Sequence, residues 1–232
     1  MTNETNKKQR PEELHGLGSQ LREQDNHFEA LQYLDRAIVA YQKEENYGGL
    51  VDALKDRTLT WKHLFWQSGD FTHAILAQKD AEAMLAIAQT KNLKDKFHTS
   101  YFRLGEVAML FQDFPKAIEY YTMALKTYQG PISEKGDYRY HLGAALYRAG
   151  QRSKGVETIL QGIAEIDQGA NETDSFLINV WKSGACLKLF ELLREDEPEK
   201  AKSYLNQAKK IVDSDEKLVI RKRQFEQLAQ KI

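Results

Sequence analysis

The sequence is poor in everything that would cross-link it, stiffen it or break it up. It holds one cysteine, Cys186, which excludes a disulfide within the chain and suits a reducing compartment. It holds only four prolines, and against the many Ala, Leu, Lys, Glu and Gln this scarcity favours helix nearly everywhere. β-Branched residues never gather into an alternating run, so no strand is expected. Neither sign of charge dominates: 33 basic residues face 34 acidic ones, which leaves no case for nucleic acid or a membrane as partner. No apolar run approaches the length of a membrane span. The polar start, MTNETNKKQR, has no hydrophobic segment behind it, so no secretory signal is expected and the protein is read as cytoplasmic.

What is present is a repeating helical pattern. From His98 to Pro131, Tyr101, Leu104, Gly105 and Ala108 share one face of a first helix. Phe114, Ala117, Tyr121 and Ala124 share one face of a second, across a turn at Gln112-Asp113. Asp113 suits an N-cap, Pro115 lies where a missing N–H costs least, and Gly105 leaves a slot for a bulky partner. Leu14, Leu17, Gly18 and Leu21, then Ala30, Leu34 and Ala37, repeat the same pattern, and Asn46-Tyr47-Gly48-Gly49 is expected to break the helix. A second pair takes its register from Ser68-Gly69-Asp70-Phe71 and puts Thr58, Trp61, Lys62 and Phe65 in packing positions. Lys62 falls where a small residue is wanted, so its stem snorkels or the helix is rotated.

Further along, Gln129-Gly130-Pro131 and Lys135-Gly136-Asp137 are expected to form a loop. The fourth pair carries Leu142, Gly143 and Leu146, then Gly155, Ile159 and Gly162, where Gly in place of Ala should make it the softer pair. The fifth carries Trp181, Ala185, Leu189 and Leu192, then Ala201, Leu205 and Ala208 after Pro198. Residues 214–232 read as one more helix, with Leu218, Phe225, Leu228 and Ile232 along a face and Arg221, Lys222 and Arg223 clustered. Residues 1–10 read as a disordered tail.

These spacings resemble the tetratricopeptide repeat, a helix–turn–helix unit of 34 residues. The five registers begin at Pro11, Lys55, His98, Gly136 and Lys182, each interval longer than that, as in kinesin light chains and bacterial peptide-pheromone receptors. The resemblance implies an all-α, right-handed α-solenoid of about five such pairs over residues 11–213, closed by a capping helix over 214–232. The DNA-binding domain that the pheromone receptors carry ahead of their repeats is not expected, since ten residues precede the first pair.

Catalytic patterns are thin. Gly18 of His15-Gly16-Leu17-Gly18 is explained by helix packing and no strand precedes it, so it is not read as a nucleotide loop. Paired-cysteine and HExxH spacings are absent, so no metal, cofactor or catalytic residue is expected. His63 and His73 straddle a turn and could meet, yet lack an acidic or cysteine partner. Cys186 has no histidine that the pattern places beside it, which favours a packed or groove-facing thiol.

The remaining function is binding. In such arrays the first helices line a concave groove that takes extended or helical peptides. The positions offset from the packing face are the candidate site: His63, Trp66, Phe102, Arg103, Glu106, Met109, Tyr140, Tyr147, Arg148, Phe190 and Arg194. Phe102 fits the core as well as the groove, whereas Trp66 and Tyr147 favour the groove. Arg103, Arg148 and Arg194 could fork onto a ligand carboxylate or stay solvated. Positions that clamp chaperone tails in related arrays hold His15, Ser19, Thr60, Thr99 and Arg103, of which only Arg103 is compatible, so that ligand is not expected. The leading expectation is a non-catalytic adaptor for an unknown protein or peptide. The alternatives are a structural homo-oligomer and an enzyme with an unrecognised site.

Overall fold

The computed structural model describes residues 9–230. Residues 1–8 of the expected tail and Ile232 of the expected terminal face lie outside them. Among the described residues the regular structure is wholly helical: eleven α-helices and two short 3-10 turns. They pack into two compact units, divided between residues 96 and 97.

The first unit contains α1 (Pro11–Glu23), α2 (His27–Lys43), α3 (Tyr47–Ser68) and α4 (Phe71–Thr90), with a 3-10 turn at Lys94–Lys96. Each consecutive pair is antiparallel because one left-handed residue stops the first helix. Asp25, Glu45 and Asn92 adopt φ of 65°, 55° and 54°, and Gly69 adopts 71°. The next helix restarts on a cap: the Asp70 carboxylate accepts from Thr72 N–H and the Asn46 side chain from Gly49 N–H. Leu34 fills the space above Gly18, where a Cβ would lie 2.7 Å from its Cγ. Thr58 sits against Met84 Sδ, Trp61 stacks on His73 and Phe65 meets Phe71 edge-on, which realises the register expected for this pair. Lys62 neither snorkels free nor rotates its helix out: it is buried, with Nζ 4.8 Å from the centre of the Trp66 ring.

One expected boundary is wrong here. Gly48 and Gly49 do not break a helix; they lie in the first turn of α3, and the break falls at Glu44–Asn46. Gly49 is bare because the Tyr41 ring occupies the volume of a side chain, with Cε1 2.4 Å from an added Cβ.

The second unit contains α5 (Phe97–Leu110), α6 (Phe114–Thr127), α7 (Ile132–Arg148), α8 (Arg152–Gln168), α9 (Ser175–Leu193), α10 (Pro198–Ser214) and α11 (Val219–Ala229). The turn at Gln112-Asp113 is as expected: Gln112 takes φ 58° and Asp113 caps α6 at Lys116 N–H. Tyr121 fills the Gly105 slot, 2.6 Å from an added Cβ.

Two boundaries differ. Lys135-Gly136-Asp137 is not a loop but part of α7, because Gly136 is a contact residue: a Cβ there would lie 2.4 Å from the Gly162 carbonyl oxygen. The last helix does not run from 214; α10 extends through Ser214, and α11 starts at Val219 after Asp215 accepts from Lys217 N–H. The pair α7–α8 meets backbone to backbone at four glycines, with Ile159 and Ile166 packed beside them. Gly143 faces Gly155 and Gly136 faces Gly162, each with the opposite backbone within 2.8 Å of where a Cβ would stand. Both helices place their glycines seven residues apart, two turns along one stripe.

Candidate functional site

In a stack of helical hairpins the apolar core forms between the two helices of a pair and their neighbours, and charged side chains on the first helices must find partners of their own. That is where the ionisable side chains gather, in each unit separately.

In the first unit α1 offers His15, Ser19 and Arg22, spaced so that all three fall on one face, and α3 offers Asp56. The Asp56 carboxylate takes Arg22 Nη1 at 2.9 Å, Ser19 Oγ at 2.7 Å and His15 Nε2 at 2.8 Å. Burial pushes this carboxyl up, but the charges of Arg22 and Lys55 and the two hydrogen bonds outweigh it, holding the group well below the usual carboxylate range. These α1 side chains are thereby spent on α3. Further along, the His63 ring lies 5.3 Å from His27 and 5.7 Å from Trp66. His73 instead stacks on Trp61 and reaches Ser68 Oγ, so the two histidines expected to meet have different partners. Trp66 remains 46% exposed, which leaves one face of its indole to solvent.

The second unit builds a larger polar centre. Arg103 and Glu106 on α5 form an ion pair, and His141 on α7 places Nε2 3.8 Å from Glu106 and Nδ1 3.7 Å from the Asp137 carboxylate. His141 Nδ1 also donates to the Asp137 carbonyl oxygen at 3.0 Å, which fixes the ring. Asp137 is 6% exposed. Burial first, and Glu106 second, raise its carboxyl to about 7, with Arg103 and Arg221 opposing. Near neutral pH this centre therefore exchanges a proton with solvent. The folded value lies above the ~3.9 of an unfolded aspartate, so this group favours folding most below that pH and its contribution fades as pH rises through 7. Thermal unfolding of the second unit, read on Trp181, is expected to become easier between pH 5 and pH 8; an Asp137→Asn chain is expected to lose that part of the slope.

The sequence-derived site residues fall into separate groups. His63 and Trp66 belong to the first unit. Phe102, Arg103, Glu106 and Tyr140 come together around His141: the Phe102 ring is 4.9 Å from it and the Tyr140 ring 4.1 Å. Phe102 is also stacked 4.1 Å from Tyr138, so packing accounts for it, and Met109 is half-buried against the same cluster. Tyr147, Arg148 and Phe190 share the α7–α9 surface, where Tyr147 and Phe190 join the core and Arg148 reaches Glu191 at 2.6 Å. Glu191 is driven up by burial and down more strongly by Lys188 and Arg148, to about 2. Arg194 is half-buried just beyond α9. Cys186 is buried, its thiol pushed up to about 11 by burial, and reaction with a thiol reagent is expected only as fast as the second unit opens.

Asp56, Asp137, His141 and Arg221 were not among the expected site residues. For Asp137 the signal was present: with Tyr140, Ala144 and Tyr147 it forms a helical face once Lys135-Gly136-Asp137 is read as helix. Among the described residues no group of three His, Cys, Asp or Glu could hold a metal ion, and no helix is long and apolar enough to cross a membrane. No protein-family model matches the chain, and no curated protein matches it.

Proposed function

We propose that this protein is a non-catalytic adaptor that binds a protein or peptide along the first helices of tetratricopeptide-like hairpins arranged as a right-handed solenoid. The observation that carries this reading is the placement of charge: Arg103, Glu106, Asp137 and His141 converge on first helices α5 and α7, among the rings of Phe102 and Tyr140. Buried charge of this kind costs stability unless it is used, and forked arginines beside carboxylates are a common means of reading a peptide backbone or terminus. Trp66, half open and with Lys62 against its ring, is a second anchor of the sort that dominates interfaces.

The test is selection from a displayed peptide library with the full chain as bait, followed by affinity measurement on the enriched peptide. Trp66→Ala and Arg148→Ala change side chains that are substantially exposed, so both chains should fold. At least one is expected to weaken binding about tenfold, a loss of roughly 1.4 kcal/mol. Absence of any enriched peptide, or binding by both variants as tight as by the unsubstituted chain, would remove the reading. A structural homo-oligomer is favoured by one feature of its own, the exposed apolar edge Phe71, Ile75 and Leu76 on α4. A monomeric mass at tens of micromolar would end it.

A further inference from the structure

Helix α11 is held by little apolar contact. Of its residues only Ile220 is buried, with Phe225 and Leu228 partly packed against the core of the second unit. Its specific attachment is Arg221. The Nε of that side chain donates to the Val180 carbonyl oxygen at 3.0 Å, and Nη1 donates to Gln224 of α11 itself at 2.7 Å. The guanidinium lies close against Gly184: a Cβ at that glycine would stand 2.8 Å from Nη2, 3.0 Å from Cζ and 3.0 Å from the Tyr140 hydroxyl oxygen. Tyr140, itself 3% exposed, turns its hydroxyl into the same space. Behind that phenol lies Asp137, whose carboxyl shares a hydrogen bond with Tyr140 and interacts electrostatically with Arg221. A bare glycine, a carbonyl oxygen, a phenol and a carboxylate in range form a slot with the shape and charge of a planar cation.

We propose that the Gly184 slot is a guanidinium-binding subsite on the ligand face of the second unit, and that Arg221 of α11 is its built-in occupant, displaced by an arginine-bearing helical peptide. The proposal rests on the peptide-binding reading above and assigns the chemistry of its ligand: a basic amphipathic segment of the kind α11 itself displays, V-I-R-K-R-Q-F. While Arg221 is seated the subsite is closed, and the apparent affinity for an incoming arginine falls by the fraction of chains in which α11 is docked.

The test uses the full chain and a labelled synthetic peptide of residues 215–230, in its natural sequence and with Gln in place of Arg221. The Arg221→Gln chain is expected to bind the natural peptide about tenfold tighter than the unsubstituted chain does. It is also expected to prefer that peptide to the Gln version by a similar factor. Equal affinities in either comparison would overturn the proposal. Amide exchange on the unsubstituted chain provides a second measurement should the variant lose its helical signal. Saturating peptide is expected to speed exchange across residues 219–229 and leave α7 and α8 protected; unchanged rates across α11 would overturn it. A chain that takes library peptides yet shows neither effect removes the resident-arginine proposal alone, whereas one that takes neither kind of peptide removes the binding function with it.

Discussion

Replacing Asp56 by alanine is expected to destabilise the first unit by about 3–5 kcal/mol, because it leaves the Arg22 guanidinium buried without its main counter-charge. Glu23 still reaches Arg22 at 2.8 Å, which places the expectation toward the lower end. Denaturant unfolding followed on Trp61 and Trp66 measures it, since both indoles belong to this unit. The paired change Arg22→Met with Asp56→Leu should recover most of the loss, as apolar groups of similar size often replace a buried pair at little cost. A single-variant loss under about 0.5 kcal/mol, the size expected of a surface change, would show that the carboxylate does not hold α1 to α3.

The same carboxylate sets an acid limit. Its folded pKa is depressed, so its contribution is complete above the unfolded value of ~3.9 and disappears as pH falls through the folded one. The first unit should therefore unfold in acid below about pH 4, while the protonation of Asp137 works in the opposite direction in the second unit. Opposite pH slopes for Trp61 and Trp66 against Trp181 are the expected signature.

The second large effect belongs to the seam of α7 and α8. Gly143→Ala puts a methyl 2.7 Å from the Gly155 carbonyl oxygen and from Ile159 N, and Gly155→Ala puts one 2.7 Å from Tyr147 N and from the Gly143 carbonyl oxygen. Those neighbours are backbone and cannot rotate away. Alanine gains up to ~1 kcal/mol in helix propensity over glycine, but overpacking of this kind costs about 1–3 kcal/mol and forces the helices apart, so the loss prevails. Because the two positions face one another, the double variant should cost less than the sum of the singles. Gly16 is the internal control. It lies in α1 with nothing within 4 Å of an added Cβ, and Gly16→Ala is expected to raise the melting temperature. A stabilised Gly143→Ala chain would mean that the seam is looser than drawn.

Much of this architecture was legible in the residues, and the parts that were not have a common cause. Turns written by a single left-handed residue before a capping side chain, as at Gln112-Asp113 and Gly69-Asp70, show up as local chemistry and were placed correctly. Glycines were misread where they stand near a helix start and their reason lies on another helix, whereas Gly18 and Gly105, inside a periodic face, were read as packing positions. Gly48-Gly49 and Gly136 look like breakers along the chain, yet Gly49 yields to Tyr41 and Gly136 to the backbone of α8. The candidate site shows the same division. The helical face carrying Phe102, Arg103 and Glu106 is periodic and was found, whereas Asp56 and Asp137 gain their character from neighbours on other helices. In the sequence Arg221 is one of three basic residues in a row; its contact with Gly184 depends on a helix about forty residues earlier in the chain, which periodicity does not reveal.

The glycine seam also bears on where the second unit can move. Two helices whose main chains meet at Gly143–Gly155 and again at Gly136–Gly162 have little room to slide or tilt, so α7 and α8 should move together as a plank. Motion in the second unit must then be taken up on either side of that plank, by α5 and α6 before it and by α9 to α11 after it. The proton at Asp137 and the arginine at Gly184 both sit against the face of α7, so whatever they do is registered against a surface that does not yield.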